Sequence, residues 1–403
     1  MRIVQINLSC TWGSTGKICD AVSELLSEKK VENYIFYVYG NNPQNKPNYL
    51  KYGNFLYTKF QALKSRVFGT YGFNSAASTR WLINKLDKLK PDVVHIHNIH
   101  SHDCHFEMLF RYLKENNIKV FYTFHDCWAF TGYCPHFAMA KCERWLKGCG
   151  NCPLRKRYSW FFDRSAKNLQ KKMMALSGLD LTVITPSEWL AGLVKQSFLK
   201  NYPVRVINNG IDLSVFRPRE GCFREKYAVQ NKKIILGVSM IWNSAKGLDV
   251  FVNLANTLPE DYRVVLIGTD GAVDKYLPKD IISIHRTQNA DELAEIYSTA
   301  DIFVNPTREE NYPTVNMEAL ACGTPVLTFR TGGSPEMLDE TCGSVVECGD
   351  IDALESEIIR ICTDKPYSKE ACIRKAKAFD KNERFKEYLK LYERINTAGA
   401  EGN

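Results

Sequence analysis

The stretch that decides the fold covers residues 302–329 and reads IFVNPTREENYPTVNMEALACGTPVLTF. Its two ends, residues 302–305 and 325–329, are short and apolar, as buried strands are. Residues 315–322 lie between them, carry a helical pattern and are followed by Gly323, a residue typical of the position after a helix. Strand, helix and strand in this order predict two parallel strands joined by a right-handed crossover.

The same alternation continues in both directions along the chain. It predicts an α/β protein with two doubly wound, Rossmann-like domains. The predicted strands are residues 2–8, 31–39, 93–96, 120–124, 181–185, 204–207, 233–238 and 264–267, and the predicted helices are residues 17–29 (after a glycine turn at 13–16), 247–258 and 291–300. The predicted domains are 1–207, with a cysteine-rich insertion at about 127–160, and 219–380, joined by a linker at 208–218, and a C-terminal helix at 381–403 is expected to cross back to the first domain.

Composition excludes several classes of protein. Of 403 residues, 45% are hydrophobic and 24% are charged, so the chain is neither disordered nor fibrous. No apolar run reaches the ~20 residues of a membrane-spanning helix, and residues 1–8 lack the apolar core of a signal peptide. A cytoplasmic location is therefore expected. The net charge of +8 favours anionic partners.

Two carboxylates in the deciding stretch form the strongest candidate site. Glu310 precedes the predicted helix and Glu318 lies eight residues later within it. Thr314 and Val315 begin this helix, where free backbone amides can bind a phosphate. A carboxylate further along the helix can accept hydrogen bonds from ribose hydroxyls. The glycine-containing segments that follow, including residues 331–336, favour a binding site over a solvated helix face.

The combination resembles the retaining nucleotide-sugar glycosyltransferases of family 4, which have an E-x7-E motif and the GT-B fold. Residues 208–212 (NNGID) look like that family's interdomain segment, and residues 186–190 (PSEWL) look like the end of its first domain. Residues 125–132 (HDCWAFTG), with the cysteines that follow, resemble a bacterial subgroup that builds surface polysaccharides of the colanic-acid or capsule type.

The resemblance implies a function. The chain would transfer a hexose from a UDP-sugar or GDP-sugar to a lipid-linked or oligosaccharide acceptor, with retention, in a cleft between its domains. Glu310 would contact the donor sugar, Glu318 the ribose, and Lys246 the diphosphate, whose growing charge a fixed cation stabilises. No catalytic metal is expected, and Asp350 and Asp352, despite their D-x-D spacing, are interpreted as a helix cap.

Two residues of the first domain complete the implied site. Gly16 would let the backbone approach the donor phosphates, because glycine has no Cβ. His125 would lie near the donor sugar and the acceptor. Many relatives carry an arginine shortly before the lysine, but residues 239–245 contain none. Lys246 and helix amides would then suffice, or Arg286 or Arg308 would substitute. Glu309 is a second acidic residue beside Glu310, and the spacing favours Glu310.

The cysteines and histidines are unevenly distributed. Fourteen cysteines are many for a chain without an export signal, and seven of the eight histidines lie within residues 95–136. The histidines at 95, 97 and 100 lack a matching carboxylate and are not interpreted as metal ligands. Four cysteines at short spacing could hold a structural zinc ion, with free thiols, a different fourth ligand (Cys127) or an iron–sulfur cluster as alternatives. The four are Cys134, Cys142, Cys149 and Cys152.

A basic and aromatic stretch lies at residues 141–172, with ten Lys or Arg residues against two acidic ones. It could meet an anionic membrane surface at the inner face of the cell membrane, bind nucleic acid, or be a solvated face. The membrane interpretation is favoured and nucleic acid is not expected as a partner. Residues 59–68 support it, because they could form an amphipathic helix at the bilayer surface.

Two other functions compete with glycosyl transfer. A sugar-nucleotide epimerase of GT-B fold would need acid and base carboxylates in both halves of the cleft and no acceptor surface. A non-catalytic sugar-nucleotide-binding scaffold would not need Glu310, Glu318 and Lys246 together.

Overall fold

The computed structural model describes residues 1–42, 45–100 and 102–400, with side chains as far as residue 395. The chain divides into two compact units. Unit 1 comprises Met1–Asn208 and the chain from Arg384 onward, and unit 2 comprises Asn209–Glu383.

Unit 1 is built on a seven-stranded parallel sheet with the strand order β3-β2-β1-β4-β5-β6-β7. In its centre, Val4 is aligned with Tyr34 on one side and Val94 on the other. The interior strands are buried along their length, because helices cover both faces of a parallel sheet. The strands are β1 (Arg2–Ile6), β2 (Glu32–Tyr37), β3 (Tyr49–Lys51), β4 (Val93–Ile96), β5 (Lys119–Thr123), β6 (Leu181–Thr185) and β7 (Val204–Val206).

Helices follow most of these strands. They are α1 (Gly13–Glu28), α2 (Phe55–Phe68), α3 (Ala76–Leu89), α4 (Phe106–Glu115), α5 (Arg155–Tyr158), α6 (Ser165–Leu176) and α7 (Glu188–Gln196), with 3₁₀ turns at Trp128–Phe130 and Arg144–Lys147. The prediction for the first helix was wrong at its start. The glycines at 13 and 16 form the first turn of α1 rather than a turn before it, so the helix begins four residues early.

Unit 2 contains a six-stranded parallel sheet with the order β10-β9-β8-β11-β12-β13. The strands are β8 (Lys233–Val238), β9 (Tyr262–Ile267), β10 (Ile282–Ile284), β11 (Ile302–Asn305), β12 (Val326–Phe329) and β13 (Gly343–Val346). The helices are α8 (Phe223–Lys226), α9 (Leu248–Thr257), α10 (Gly271–Asp274), α11 (Ala290–Thr299), α12 (Thr314–Ala321), α13 (Ile351–Asp364) and α14 (Lys369–Ala376), with 3₁₀ turns at Ser244–Lys246, Ser334–Met337 and Lys377–Phe379.

The deciding stretch folds as predicted. β11, α12 and β12 form a parallel β-α-β unit in which Phe303 is aligned with Val326. The Asp350 carboxylate caps α13 by accepting a hydrogen bond from the Ala353 amide, at 3.0 Å, so its interpretation as a helix cap is confirmed.

The last helix, α15 (Lys381–Ala400), begins beside the segment that leads into unit 2. The Lys381 amide donates to the Ile211 carbonyl, and the Ile211 amide donates to the Phe379 carbonyl, so the chain is extended there between α14 and α15. From Arg384 onward α15 belongs to unit 1, where Phe385 and Tyr388 pack in one core cluster with residues of β1, α1 and β5.

Both sheets are doubly wound, as predicted. In unit 1 the winding reverses between β1 and β4, and in unit 2 between β8 and β11. Ligands of such sheets bind outside the carboxyl ends of the strands at the point of reversal. In the described part of the chain, no helix has the length and apolar character to cross a membrane.

Candidate functional site

Two charged side chains meet at the point of reversal in unit 2. Lys246 ends the 3₁₀ turn after β8, and Glu310 lies in the loop after β11. The Lys246 ammonium is 2.8 Å from Oε2 of Glu310, while Oε1 accepts the Asn311 amide at 2.9 Å. Glu309 is buried, so Glu310 is the carboxylate of the acidic pair that faces the lysine. Sequence positions 64 apart are thus brought together as a partly exposed ion pair.

Helix α12 places the second carboxylate of the motif. Thr314 and Val315 form its first turn, and Glu318 lies one turn later. Oε2 of Glu318 accepts a hydrogen bond from the Tyr297 hydroxyl of α11 at 3.1 Å. Burial, and secondly the nearby Glu318 charge, raises the pKa of Tyr297 well above its usual value, so this hydroxyl donates. Tyr297 was missed in the sequence because no motif marks it.

Arg308 is the nearer of the two arginines considered as substitutes, and it has a different partner. Its guanidinium forms two 2.8 Å hydrogen bonds with the Asp249 carboxylate and one of 2.6 Å with the Ser244 carbonyl. Its own amide donates to the Ala245 carbonyl. Arg308 therefore braces the turn that carries Lys246. Arg286 is exposed after β10, the edge strand two places from β8.

The glycine-rich segment at residues 331–336 packs directly on the Glu310 loop. A Cβ on Gly332, which has φ +57°, would lie 2.0 Å from the Glu310 carbonyl oxygen, and the Gly333 amide donates to the Asn311 carbonyl at 2.7 Å. The hydroxyls of Thr331 and Ser334 are buried and have no hydrogen-bond partner among the described residues. A buried polar group without a partner costs ~1–3 kcal/mol, so these hydroxyls favour a polar ligand here.

Gly16 lies at the point of reversal in unit 1. It belongs to the first turn of α1, and a Cβ there would lie 2.5 Å from Oγ of Ser9 and 3.2 Å from the Thr11 amide. Glycine at this position is therefore required by the close packing of α1 on the loop after β1. The structure places this backbone at the carboxyl end of the central strand, where its predicted approach to phosphate stays a prediction.

His125 follows β5 and points its Nε2 toward His97. The two ring nitrogens, Nε2 of His125 and Nδ1 of His97, are 3.3 Å apart, and the ring planes differ by only 16°. Burial is the largest cause that lowers the pKa of His125, to about 4, although Asp126 opposes this effect. His125 is therefore neutral at pH 7. His97 was not selected as a site residue in the sequence, because its role depends on a contact across the sheet.

The neighbouring residue, Asp126, binds a third histidine. Its Oδ2 is 2.6 Å from Nε2 of His100, and its Oδ1 accepts the Trp128 amide at 2.8 Å. Burial raises the pKa of Asp126, but the charge and hydrogen bond of His100 outweigh burial and lower it to about 2. The expectation that no carboxylate matches the histidines was wrong for His100, whose partner lies 26 positions away.

The four predicted zinc ligands line one small cavity in the insertion. A hydrogen bond between the Cys134 and Cys152 thiols raises the pKa of the first and lowers that of the second. Cys149 has φ +60° between glycines that also have positive φ. In the ranges that the structure describes, however, no group of three or more His, Cys, Asp or Glu side chains is arranged so that it could hold a metal ion. The zinc site stays a prediction.

A larger cavity in unit 2, of about 590 Å³, lies away from all these residues. It is lined by Ala300, Asp301 and Pro325, which immediately precede β11 and β12. Ligands of doubly wound sheets bind at the opposite, carboxyl ends of the strands. Size alone therefore does not identify the site, and the residues after β8 and β11 remain the better candidate.

Comparison with protein families gives two matches. Residues 22–215 match the model described as Glycosyltransferase Family 4, and residues 222–379 match the model described as Glycosyl transferases group 1. The two matches together span most of the chain, and the second contains the Lys246, Glu310 and Glu318 positions.

Three named relatives share between 21% and 34% sequence identity with this chain over the aligned residues. WcaC of Escherichia coli strain K12, named as a colanic acid biosynthesis glycosyl transferase, is 21% identical over 98% of this chain and 100% of its own length. The sulfoquinovosyl transferase SQD2 of Arabidopsis thaliana is 26% identical over 46% of this chain and 38% of its own length. A D-inositol 3-phosphate glycosyltransferase of an Arthrobacter species is 34% identical over 34% of this chain and 37% of its own length. The chain thus spans all of WcaC but well under half of the other two.

Solved structures show the fold. Sucrose-phosphate synthase from Thermosynechococcus elongatus superposes with a TM-score of 0.72 at 17% identity, covering 98% of this chain and 99% of its own. Anabaena HepE in complex with UDP-glucose superposes with a TM-score of 0.69 at 12% identity, again covering 98% and 99%. These likenesses confirm the predicted GT-B fold.

Proposed function

Because the chain belongs to the glycosyltransferases that join a Family 4 domain to a group 1 domain, we propose that it transfers a hexose from a UDP-sugar or GDP-sugar to a lipid-linked or oligosaccharide acceptor. The observation that carries this proposal is the pair of Lys246 and Glu310 at 2.8 Å, at the reversal point of the group 1 domain. The end-to-end likeness to WcaC supports a role in bacterial surface polysaccharide synthesis.

Each candidate site residue of unit 2 has a part in donor binding. Lys246 contacts the diphosphate and stabilises its growing negative charge. Glu310, whose Oε2 lies 2.8 Å from the Lys246 ammonium, binds sugar hydroxyls next to it. The amides at Thr314 and Val315 bind phosphate oxygens, since the start of a helix attracts anions. Glu318, oriented by the Tyr297 hydroxyl, accepts hydrogen bonds from the ribose.

The transfer retains the anomeric configuration by a front-face displacement. The acceptor oxygen forms its bond to the anomeric carbon on the face from which the diphosphate leaves. The electron pair of the broken bond stays on the diphosphate, and one of its oxygens takes the proton of the acceptor hydroxyl. His125, which burial keeps neutral, orients a sugar hydroxyl without adding charge.

Thermal stability with nucleotides tests donor binding. A ligand at 100 times its Kd adds ~2.7 kcal/mol to the free energy of unfolding. We expect UDP or GDP, but not both equally, to raise the Tm of the wild type, and Glu318→Ala to lose the shift. Glu355→Ala is the matched control and keeps it, because this half-buried carboxylate on α13 also accepts a hydroxyl hydrogen bond, from Thr257 at 2.6 Å. No shift with UDP, GDP or their sugars contradicts the proposal and favours a scaffold.

Helix α2 supports a membrane surface as a partner of unit 1, because its polarity is inverted. The residues that α2 buries are the polar Thr58, Gln61 and Ser65. Its large apolar side chains face outward, with Leu56 74% exposed and Phe60 62% exposed. A helix that only completes a core does the opposite. The basic Lys59 and Lys64 are exposed on the same helix.

The basic and aromatic stretch continues this surface. The Arg66 guanidinium at the end of α2 donates to the Arg157 carbonyl at 2.5 Å, and the Trp160 amide donates to the Arg66 carbonyl at 2.7 Å. Trp160, Phe161 and Phe162 are all about half exposed or more. We call α2 and residues 155–162 the apolar-basic surface. Clustered aromatic and basic residues fit an anionic bilayer, where each cation near the surface contributes ~1 kcal/mol.

Sedimentation with lipid vesicles tests this partner. The full chain is expected to sediment with vesicles containing phosphatidylglycerol and to be released by high salt, because part of the attraction is electrostatic. The double variant Phe60→Ser, Phe161→Ser should sediment at least tenfold less. Tyr276→Ser, an equally exposed aromatic in unit 2, is the control and should bind normally. Equal binding of the double variant and the control contradicts the membrane surface without affecting the donor site.

A further inference from the structure

Three polar side chains of unit 1 form a continuous line of hydrogen bonds at the carboxyl side of its sheet. Gln5 is buried on β1, His97 follows β4, and His125 follows β5. Oε1 of Gln5 is 3.2 Å from Nε2 of His97, and Nδ1 of His97 is 3.3 Å from Nε2 of His125. The line crosses three adjacent strands at their carboxyl ends, where sheets of this kind bind ligands.

The direction of every hydrogen bond in the line is determined by its first member. The Gln5 amide nitrogen donates to the Cys19 carbonyl of α1 at 3.0 Å, which turns Oε1 toward His97. A carbonyl oxygen can only accept, so Nε2 of His97 carries a hydrogen. A neutral imidazole has one donor, so Nδ1 of His97 accepts. Nε2 of His125 must then carry the hydrogen that it donates to Nδ1 of His97.

The surroundings of His97 and His125 keep both imidazole rings neutral. His97 is fully buried, and its ring lies against a second buried ring, His95, with centroids 4.0 Å apart. Burial is the main cause that lowers the pKa of His97 well below its usual range. His95 has its own partners, Tyr392 and Thr123, and so stands outside the line.

We propose that Gln5 and His97 are positioning residues that hold His125 as the Nε2–H tautomer, in which Nδ1 can only accept a hydrogen bond, including one from a sugar hydroxyl. This role rests on the proposed glycosyl transfer, whereas the tautomer itself does not. A fixed tautomer gives the hydroxyl one direction in which to donate. The sugar oxygen is then oriented before reaction, as preorganised catalytic sites require.

Nitrogen NMR of the full chain labelled with ¹⁵N-histidine tests the tautomer directly. A His125→Asn variant assigns the signals. In the wild type we expect a protonated Nε2 and an unprotonated Nδ1 for His125 at pH 7. A protonated Nδ1 on His125 would overturn the proposal, and this readout needs no other variant to fold.

Substitutions then test the relay. Gln5→Leu removes the acceptor, so His97 and His125 should populate both tautomers, and kcat should fall about tenfold, the scale of one lost hydrogen bond. Asn33→Leu, which likewise replaces a buried amide of the same sheet but lies at the opposite, amino end of β2, is the control and should change neither readout.

The outcomes separate this inference from the proposed function. An unchanged tautomer and kcat in Gln5→Leu overturns the relay while the transferase stands. Full turnover in His125→Ala, with the tautomer as expected, overturns the role assigned to His125 in the reaction and leaves the hydrogen-bond line as a structural feature only.

Discussion

The two sheets reverse their winding at equivalent places, but the side chains that follow the strands there differ in charge and in burial. Beyond β1 and β4, unit 1 has buried, neutral imidazoles joined by hydrogen bonds, with His97 and His125 at 3.3 Å. Beyond β8 and β11, unit 2 has a partly exposed ion pair, Lys246 and Glu310 at 2.8 Å. The sheet topology therefore determines where a site lies, and the residues that follow the strands determine its chemistry. The lysine of unit 2 fits a diphosphate, and the neutral imidazoles of unit 1 fit hydroxyl groups.

The largest effect should come from removing the charge of unit 2. Lys246→Ala should lower kcat by about 10²–10³, the usual loss when a group that stabilises transition-state charge is deleted. Lys232→Ala is the control, because the ammonium of that half-buried lysine donates to the Glu260 carbonyl, at 2.7 Å, and the residue precedes β8 instead of following it. Steady-state kinetics of sugar transfer measure both. Equal kcat values in the two variants would show that the charge of Lys246 does not stabilise the leaving diphosphate.

A smaller effect should follow from loss of the proposed contact between Glu318 and ribose. Glu318→Gln keeps the shape of the side chain but removes its charge, and a charged hydrogen bond contributes ~1.5–3 kcal/mol. The Kd for the nucleoside diphosphate should rise about tenfold or more, with little change in kcat. Titration calorimetry measures the Kd. A Kd within twofold of wild type shows that Glu318 does not contact the nucleotide.

The same contrast extends to how each site is supported. In unit 2, Lys246 lies on a short turn that Arg308 braces, whereas the segment after His125 is long and irregular and contains the cysteine cluster.

If the cysteine cluster binds zinc, the purified protein should contain about one zinc ion per chain. Its Tm should fall when the metal is removed by a chelator, and also in Cys149→Ser. Cys222→Ser, an exposed thiol in unit 2, is the control. Metal-free protein with an unchanged Tm after chelation means that the cysteines are free thiols.

The smallest predicted effect is a dependence of stability on pH, which belongs to unit 1. Burial lowers the pKa of His95 to about 3 and that of His125 to about 4, from 6.5. Between these values and 6.5 the unfolded chain binds protons that the folded chain does not, so stability falls as pH falls through this range. Asp126, with a pKa of about 2, keeps its stabilising charge until still lower pH.

Thermal denaturation at several pH values measures this dependence. The Tm of the wild type should decrease steadily from pH 6.5 to pH 4, and the decrease should be shallower in His95→Gln, which removes one of the buried rings. The three rings are in contact, so they titrate as a set. A constant Tm across the range contradicts the assignment of neutral, buried imidazoles to unit 1.

Much of the fold could be predicted because buried parallel strands are continuous apolar runs. β4, β6, β8 and β11 have the predicted bounds. Short edge strands such as β3 and β10 were not recognised, since a strand of three residues carries little pattern. The start of α1 was misplaced, because glycine is a poor helix former and only the packing of Gly16 on Ser9 shows why it is there.

The site divides in the same way. Residues within one motif, such as Glu310 and Glu318, were selected from their spacing, from the glycine-containing segments that follow them and from the family resemblance. Partners far apart in the chain could not, because the fold brings them together: Arg308 with Asp249, Glu318 with Tyr297, and His100 with Asp126. Their identity depends on which strands are neighbours.

The most direct test of the central claim follows the donor in the presence and absence of an acceptor. Wild-type protein is incubated with UDP-glucose or a GDP-hexose and a lipid-linked acceptor, and proton NMR follows the anomeric signal. We expect stoichiometric release of the nucleoside diphosphate only with acceptor, and a product with the anomeric configuration of the donor. Interconversion of the nucleotide sugar without acceptor, or an inverted product, would contradict the account.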